Sequence, residues 1–197
     1  MRSAGEAEEH LRLIRTAMER STKHSTLSGL SGILAGLIAF LACVLGQTVV
    51  QGSSVRFVLV WGATLALAAT VDIVLTKRRA ARVGKTALSP LGRQLSRAVA
   101  PGLLVGVAMT GFYLLHPETV GTYIYGFWML CYASSLLAIG MFSLREVSIL
   151  GWAFLAAGAI TLLVPTGAPV GPRALMAVTF GGFHIIYGAW MGFKYGW

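Results

Sequence analysis

Residues 57–76 read FVLVWGATLALAATVDIVLT, and residues 77–82 continue as KRRAAR. The first stretch contains one charged residue and is long enough to cross a hydrocarbon core about 30 Å thick as a single α-helix. The basic cluster that follows is typical of the cytoplasmic end of a membrane span, because Lys and Arg beside spans are retained in the cytoplasm. This stretch therefore predicts both a membrane helix and its direction.

Five more apolar runs of similar length occur in this chain of 197 residues. Together they predict six spans at about 27–46, 57–76, 98–116, 120–141, 147–164 and 174–192. Helices are expected, because lipid offers backbone groups no hydrogen-bond partner and the runs are too uniformly apolar for barrel strands. The predicted fold is an all-α polytopic membrane domain covering residues 27–197. Short outer connections group the spans as three hairpins.

The basic residues are distributed asymmetrically around these spans. Fourteen of the sixteen Lys and Arg residues precede the first span, follow the last, or lie in the second and fourth connections. Only Arg56 and Arg173 fall on the other side. Trp and Tyr residues, which prefer the headgroup level, gather near the predicted span ends on both sides. Both patterns predict that the N- and C-termini face the cytoplasm.

Residues 1–26 form a polar segment in which acidic residues come first and basic residues later, an order that suits a helix dipole. A thin apolar stripe runs along one face, so we predict a cytoplasmic amphipathic helix on the membrane surface or against the 77–97 loop. Recognition of a partner protein is the alternative. The net charge of +9 follows from the cytoplasmic excess, and nucleic acid is not an expected partner. Anionic lipid headgroups or a partner are expected to contact Arg12, Arg15, Lys77, Arg78 and Arg79.

Glycine pairs mark faces where membrane helices can approach closely, because small residues let backbones touch. Spans one, three and six each carry a G-x-x-x-G pair: Gly32 and Gly36, Gly102 and Gly106, and Gly188 and Gly192. Packing within the bundle is the simpler interpretation. The alternative is that one face joins protomers of a homo-oligomer or other membrane subunits.

Two ionisable residues inside spans are candidate functional groups, since burying such groups in a membrane is costly. Asp72 lies in the last turn of span two. It is either paired with the bases at 77–79 or part of an ion or proton site. His184 lies deeper, in span six. It is either hydrogen-bonded to a hydroxyl or carbonyl of a neighbouring helix, or an axial ligand to haem or a pigment.

No catalytic constellation is recognisable in the sequence. Cys43 and Cys131 fall at different depths, so neither a disulfide nor a metal pair is expected. The chain contains no H-E-x-x-H motif, no phosphate-binding glycine loop and no G-x-S-x-G elbow. We therefore predict no catalytic residue, no metal site, no cofactor and no enzymatic activity, with haem or pigment at His184 kept as an alternative.

Several stretches carry a family resemblance. Tyr125-Gly126, LLAIGMFS at 136–143 and GGFHIIYG at 181–188 resemble an uncharacterised bacterial family of six-span integral membrane proteins, and LRLIRTAME at 11–19 has the same character. The resemblance implies six spans and a bacterial inner membrane. It implies no activity and no functional residue.

Two classes of function remain from the sequence. The first is a non-enzymatic structural or accessory subunit, which predicts small-residue faces turned outward and no continuous polar path. The second is a small transporter or channel, which predicts a hydrated cavity reaching Asp72 or the level of Ser134 and Ser135. A haem- or pigment-binding protein using His184 is the further alternative.

Overall fold

The computed structural model describes residues 9–10, 28–82, 90–164 and 171–196. The predicted amphipathic helix at 1–26, with Arg12 and Arg15, lies outside the described residues except for Glu9 and His10, which are helical.

Six helices in the described chain are long and apolar enough to cross a membrane, as the hydropathy pattern predicts. They are α1 (Gly29–Val50), α2 (Ser54–Arg82), α3 (Pro90–Leu115), α4 (Tyr123–Gly140), α5 (Arg145–Leu163) and α6 (Pro172–Tyr195). The last of these is continuous but not uniform: an α-helical start at Pro172–Met176 passes into a π-helix at Ala177–Phe183 and back into an α-helix at His184–Tyr195.

The helices α2 and α3 are longer than their predicted spans. The 29 residues of α2 extend it to about 43 Å, which exceeds the hydrocarbon thickness of about 30 Å. Its extra turns carry the basic residues that follow the apolar run. Span four is shorter than predicted at its start, because Gly121 has a φ of +47° and separates the single turn Pro117–Val120 from α4.

The helices pack in a definite order of neighbours. Helix α1 lies between α2 and α6, while α4 lies between α3 and α5. The contact between α4 and α5 is the most extensive in the described bundle, whereas the backbones of α5 and α6 come close mainly along residues 172–183. Spans one and two and spans three and four are thus paired neighbours, while the sixth span packs mainly on the first.

Backbone contact between α1 and α6 holds the first and last spans together. A Cβ atom added to Gly32 would lie 2.9 Å from the Cα of Gly188, and one added to Gly188 would lie 2.5 Å from the carbonyl oxygen of Gly29. A Cβ atom added to Gly36 would lie 2.6 Å from the carbonyl oxygen of Gly181. Side chains have no room there. The predicted glycine pairs of spans one and six, including Gly192 against Gly29, therefore pack on each other within the described bundle.

The glycine pair of span three is used only in part. A Cβ atom on Gly102 would collide with the Ser135 hydroxyl and lie 2.7 Å from the carbonyl oxygen of Cys131 on α4. Gly106, one turn later, would meet only Cys131 Cβ at 3.8 Å. Pro101 precedes this contact and leaves the Arg97 carbonyl without its helical donor, because proline has no N–H.

The buried core lies between α4, α5 and α6. Met129, Ala133, Phe154 and Met176 are fully or almost fully enclosed. Elsewhere the bundle presents apolar side chains outward, notably along α2 and α3. This distribution is expected where the surrounding solvent is lipid rather than water.

Candidate functional site

Asp72 makes a short hydrogen bond between α2 and α1. The Ser31 hydroxyl lies 2.6 Å from Asp72 Oδ1 and 2.8 Å from the Ser28 carbonyl oxygen, either of which can accept its proton. Ser31 and Ser28 are buried, and Asp72 is partly buried. A carboxylate that accepts from a buried hydroxyl is held in place on the inside of the bundle rather than turned to lipid.

Thr76 lies one turn below Asp72 on the same face of α2. Its hydroxyl oxygen is buried and has no hydrogen-bond partner among the described residues. In membrane helices a threonine hydroxyl commonly donates a hydrogen bond to the carbonyl oxygen four residues earlier, as Thr64 does to Val60 at 2.7 Å. A buried hydroxyl without such a bond is available to a water molecule, a proton donor or a cation.

His184 is hydrogen-bonded across the bundle to α4. Its Nε2 lies 2.8 Å from the hydroxyl of Tyr132, and its buried Nδ1 makes no hydrogen bond of good geometry in the described chain, although the backbone of Thr179 and Phe180 interacts with the ring. This is the hydroxyl on a neighbouring helix that the sequence favours as the histidine's partner. Three aromatic rings surround the imidazole, with centroid distances of 5.4 Å to Tyr132 and Phe154 and 6.1 Å to Phe180.

The π-helix of α6 places this histidine. Its seven residues end at Phe183, directly before His184. Such wide turns are uncommon and occur often at functional sites. Thr179, buried inside the segment, donates to the Leu175 carbonyl at 2.9 Å and stabilises the local irregularity. A Cβ atom added to Gly181 would lie 3.2 Å from Cβ of Phe40 on α1, so α1 occupies the approach that this glycine opens.

The two candidate groups belong to one polar cluster. The Asp72 carboxylate interacts electrostatically with the hydroxyls of Tyr132 and Tyr187. Tyr187 lies one turn after His184 on α6, toward the Asp72 end of the bundle. Two hydrogen-bonded pairs, Ser31–Asp72 and Tyr132–His184, thus lie in one region of the bundle together with Tyr187, and α1, α2, α4 and α6 contribute them. We call these five residues the inner polar line.

Ligation of a haem or pigment through His184 Nε2 would have to displace the Tyr132 hydroxyl that this nitrogen engages. Among the described residues, no three His, Cys, Asp or Glu side chains come together as a metal-binding group. Ser134 and Ser135 both bond to the Cys131 carbonyl, at 2.8 Å and 3.1 Å. Their hydroxyls are therefore engaged with backbone.

The end of α6 is tied to two other helices. Arg79 of α2 donates to the carbonyl oxygens of Gly196 at 2.6 Å and Tyr195 at 2.7 Å, as a base does at a helix C-terminus. The buried Glu146, in the first turn of α5, accepts from Lys194 at 2.5 Å and from the Tyr195 hydroxyl at 3.0 Å.

Of the bases predicted to meet lipid or a partner, Lys77 and Arg78 are exposed, whereas Arg79 serves this internal contact. The sequence signal for the Glu146–Lys194 contact is an acid in the first turn of one helix and a base in the last turn of another.

The chain matches no protein-family model, no curated protein and no solved structure. The bacterial six-span family that parts of the sequence resemble therefore contributes no residue role and no activity. Function has to be argued from the site itself.

Proposed function

We propose that this protein is a small proton-translocating transporter of a bacterial inner membrane, with no enzymatic activity. Both termini face the cytoplasm in this proposal, and the chain crosses the membrane as three hairpins. The support for that orientation is the excess of Lys and Arg on the side of the termini. In this orientation Asp72 lies toward the cytoplasm and the His184–Tyr132 pair lies near the bilayer centre.

The inner polar line is the observation that carries the proposal. Polar and ionisable side chains inside a membrane are costly, and chains of Asp, Glu and His are characteristic of proton relays. In the inner polar line, two hydrogen bonds hold the side chains in place: Ser31 to Asp72 and Tyr132 to His184. Beside these two bonds, Thr76 Oγ1 and His184 Nδ1 are buried and make no hydrogen bond of good geometry in the described residues.

The chemistry of these groups suits proton movement. Imidazole accepts a proton at one nitrogen and releases it from the other, so His184 can pass a proton between Nδ1 and Nε2. A tyrosine hydroxyl both donates and accepts, which allows Tyr132 and Tyr187 to relay it toward Asp72. Phe154 and Phe180 pack around the imidazole and exclude water from its flanks. Asp72 then exchanges the proton with the cytoplasmic side, so these residues serve the cytoplasmic half of the proposed path.

We expect Asp72→Asn to lower proton movement at least tenfold, to a measurable residual rate, while leaving the fold intact. Asparagine keeps the size of the side chain and can still accept from Ser31, but it cannot bind and release a proton at neutral pH. The measurement is the rate at which an imposed pH gradient collapses in liposomes loaded with a pH-sensitive dye, with valinomycin and K⁺ to balance charge. Wild-type protein should speed the collapse at least tenfold over Asp72→Asn.

Glu118→Gln is the matched control for this experiment. It removes one carboxylate from the connection between spans three and four, outside the inner polar line. Wild-type flux in this variant is the expected result. A wild-type protein no faster than empty liposomes, or an Asp72→Asn protein as fast as wild type, would contradict the proposal.

A structural or accessory role is the second candidate, favoured by the exposure of α2 and α3. Helix α2 packs mainly on α1 and α3 mainly on α4, and large apolar side chains such as Leu104 and Val107 are more than two-thirds exposed. These faces suit a second copy of the chain or another membrane subunit, and the exposed Lys77 and Arg78 suit anionic lipid. Stoichiometric co-purification of a partner from the native membrane, together with absent flux, would favour this role.

A further inference from the structure

A cavity of about 170 Å³ opens at the end of the bundle opposite Asp72. Four spans enclose it, and we call it the outer vestibule. Its lining includes Cys43 of α1, Phe57 and Trp61 of α2, Tyr125 of α4 and Arg173 of α6, together with Gln51 from the turn between α1 and α2. None of its described lining residues is acidic. No part of the inner polar line contributes to this lining.

The polar groups of the vestibule are hydrogen-bond donors. The Arg173 guanidinium stands at the cavity and interacts electrostatically with the side chains of Cys43 and Tyr125. The Gln51 side-chain oxygen accepts from Arg56 at 3.3 Å, which leaves its amide N–H groups to donate elsewhere. With the Tyr125 hydroxyl, the cavity offers three kinds of donor and a fixed positive charge. Donors arranged around a guanidinium recognise a carboxylate.

The backbone of Gln51 lies in the turn that follows α1. Its φ is +42°, and it is the one described non-glycine residue with a positive φ. The chain closes here in a tight turn, with Ser53 donating to the Val50 carbonyl at 2.9 Å. A side chain at this φ is disfavoured relative to glycine by about 1–2 kcal/mol. Gln51 directly follows the last residue of α1, where a left-handed residue commonly ends a helix, so this φ belongs to the turn that sets Gln51 at the cavity.

The apolar walls of the vestibule indicate what kind of group would lie beside a bound carboxylate. Phe57 packs edge-on against Tyr125 at 5.3 Å between centroids and lies 6.4 Å from Trp61, so one side of the cavity is aromatic. The volume is below the range of about 300 Å³ upward that drug-sized ligands need. An apolar wall, a small volume and a cluster of donors together fit a compact organic acid.

We propose that the outer vestibule binds a small carboxylate with a compact apolar or aromatic body. The carboxylate pairs with Arg173 and accepts from Gln51, and its body lies against Trp61 and Phe57. The idea that the transporter carries this carboxylate as its solute rests on the proposed function. As a binding site, the vestibule can be tested without any flux measurement.

Benzoate is the probe, measured by equilibrium dialysis of the radiolabelled compound against the purified full-length protein in lipid nanodiscs. We expect saturable binding of one benzoate per chain and no binding of benzyl alcohol, which has the same ring without the charge. Arg173→Gln should weaken benzoate binding at least tenfold. Arg93→Gln, which removes the same charge from an exposed site on α3, should leave it unchanged.

Gln51→Gly separates binding from folding. Glycine adopts the observed φ without strain, so this variant should be at least as thermostable as wild type while binding benzoate several-fold more weakly. Benzoate should also slow alkylation of Cys43 without affecting Cys131, which does not line the vestibule.

Absence of saturable benzoate binding, or equal binding by wild type and Arg173→Gln, would overturn the proposal. Asp72→Asn should bind benzoate normally, so failure of the proton path and failure of the vestibule are distinguishable.

Discussion

Gly188→Leu is expected to lower the midpoint of thermal unfolding by about 6 °C or more, the largest stability effect of any single substitution considered. The position lies in backbone contact with α1, and the first atom of any side chain would come within 2.5 Å of the Gly29 carbonyl oxygen. The backbone atoms of a packed helix cannot move aside to relieve this collision as a flexible side chain can. Overpacking of this kind costs about 3 kcal/mol or more, and each kcal/mol shifts the midpoint by about 2–4 °C in a chain of this size.

Gly182→Leu is the control for that substitution. Gly182 lies on the same helix and no atom lies within 4 Å of an added Cβ, so leucine there adds the same hydrophobic side chain without a collision. The measurement is the fraction of monodisperse protein left after heating in detergent, followed by size-exclusion chromatography. Equal midpoints for the two variants would show that α1 and α6 are not in backbone contact.

Tyr132→Phe is expected to lower proton flux at least tenfold with only a modest loss of stability. The ring keeps its contacts with Phe154 and Phe180, at 4.9 Å and 5.2 Å between centroids, so the packing survives. The substitution removes the hydroxyl that bonds His184 and leaves a buried nitrogen unpaired, at a cost of about 1–3 kcal/mol. The flux is measured by the dye assay described for Asp72→Asn.

Tyr123→Phe controls for the loss of a tyrosine hydroxyl. Tyr123 is exposed at the first residue of α4 and lies outside the inner polar line. The Tyr123→Phe protein should transport protons at the wild-type rate. If the Tyr132→Phe protein transported protons as fast as the Tyr123→Phe protein, the hydrogen bond to His184 would have no part in transport.

The sequence was sufficient for the number of helices that are long and apolar enough to span a membrane, because lipid imposes a length and an apolar composition on any helix that crosses it. Residues 57–76 illustrate this, since they fall within α2 in the structure. The helix ends were less predictable. Hydropathy reports where the hydrocarbon lies, whereas α2 and α3 continue as helices through their basic residues.

The contacts between spans were not available from hydropathy. Gly32 and Gly188 are each recognisable as packing residues, but nothing local indicates that they face each other across the first and last spans. The same holds for Ser31, a partner of Asp72 that is 41 residues away. The π-helix before His184 also escaped prediction, because its sequence has the apolar character of an ordinary span.

The central claim is that Asp72 and the Tyr132–His184 pair serve one proton path, and a double-mutant cycle on proton flux tests it most directly. Flux is measured for wild type, Asp72→Asn, Tyr132→Phe and the double variant. Residues that act in one path are strongly non-additive, so the double variant should be no slower than Asp72→Asn alone. Wild-type flux equal to that of empty liposomes, or losses that multiply in the double variant, would contradict the claim.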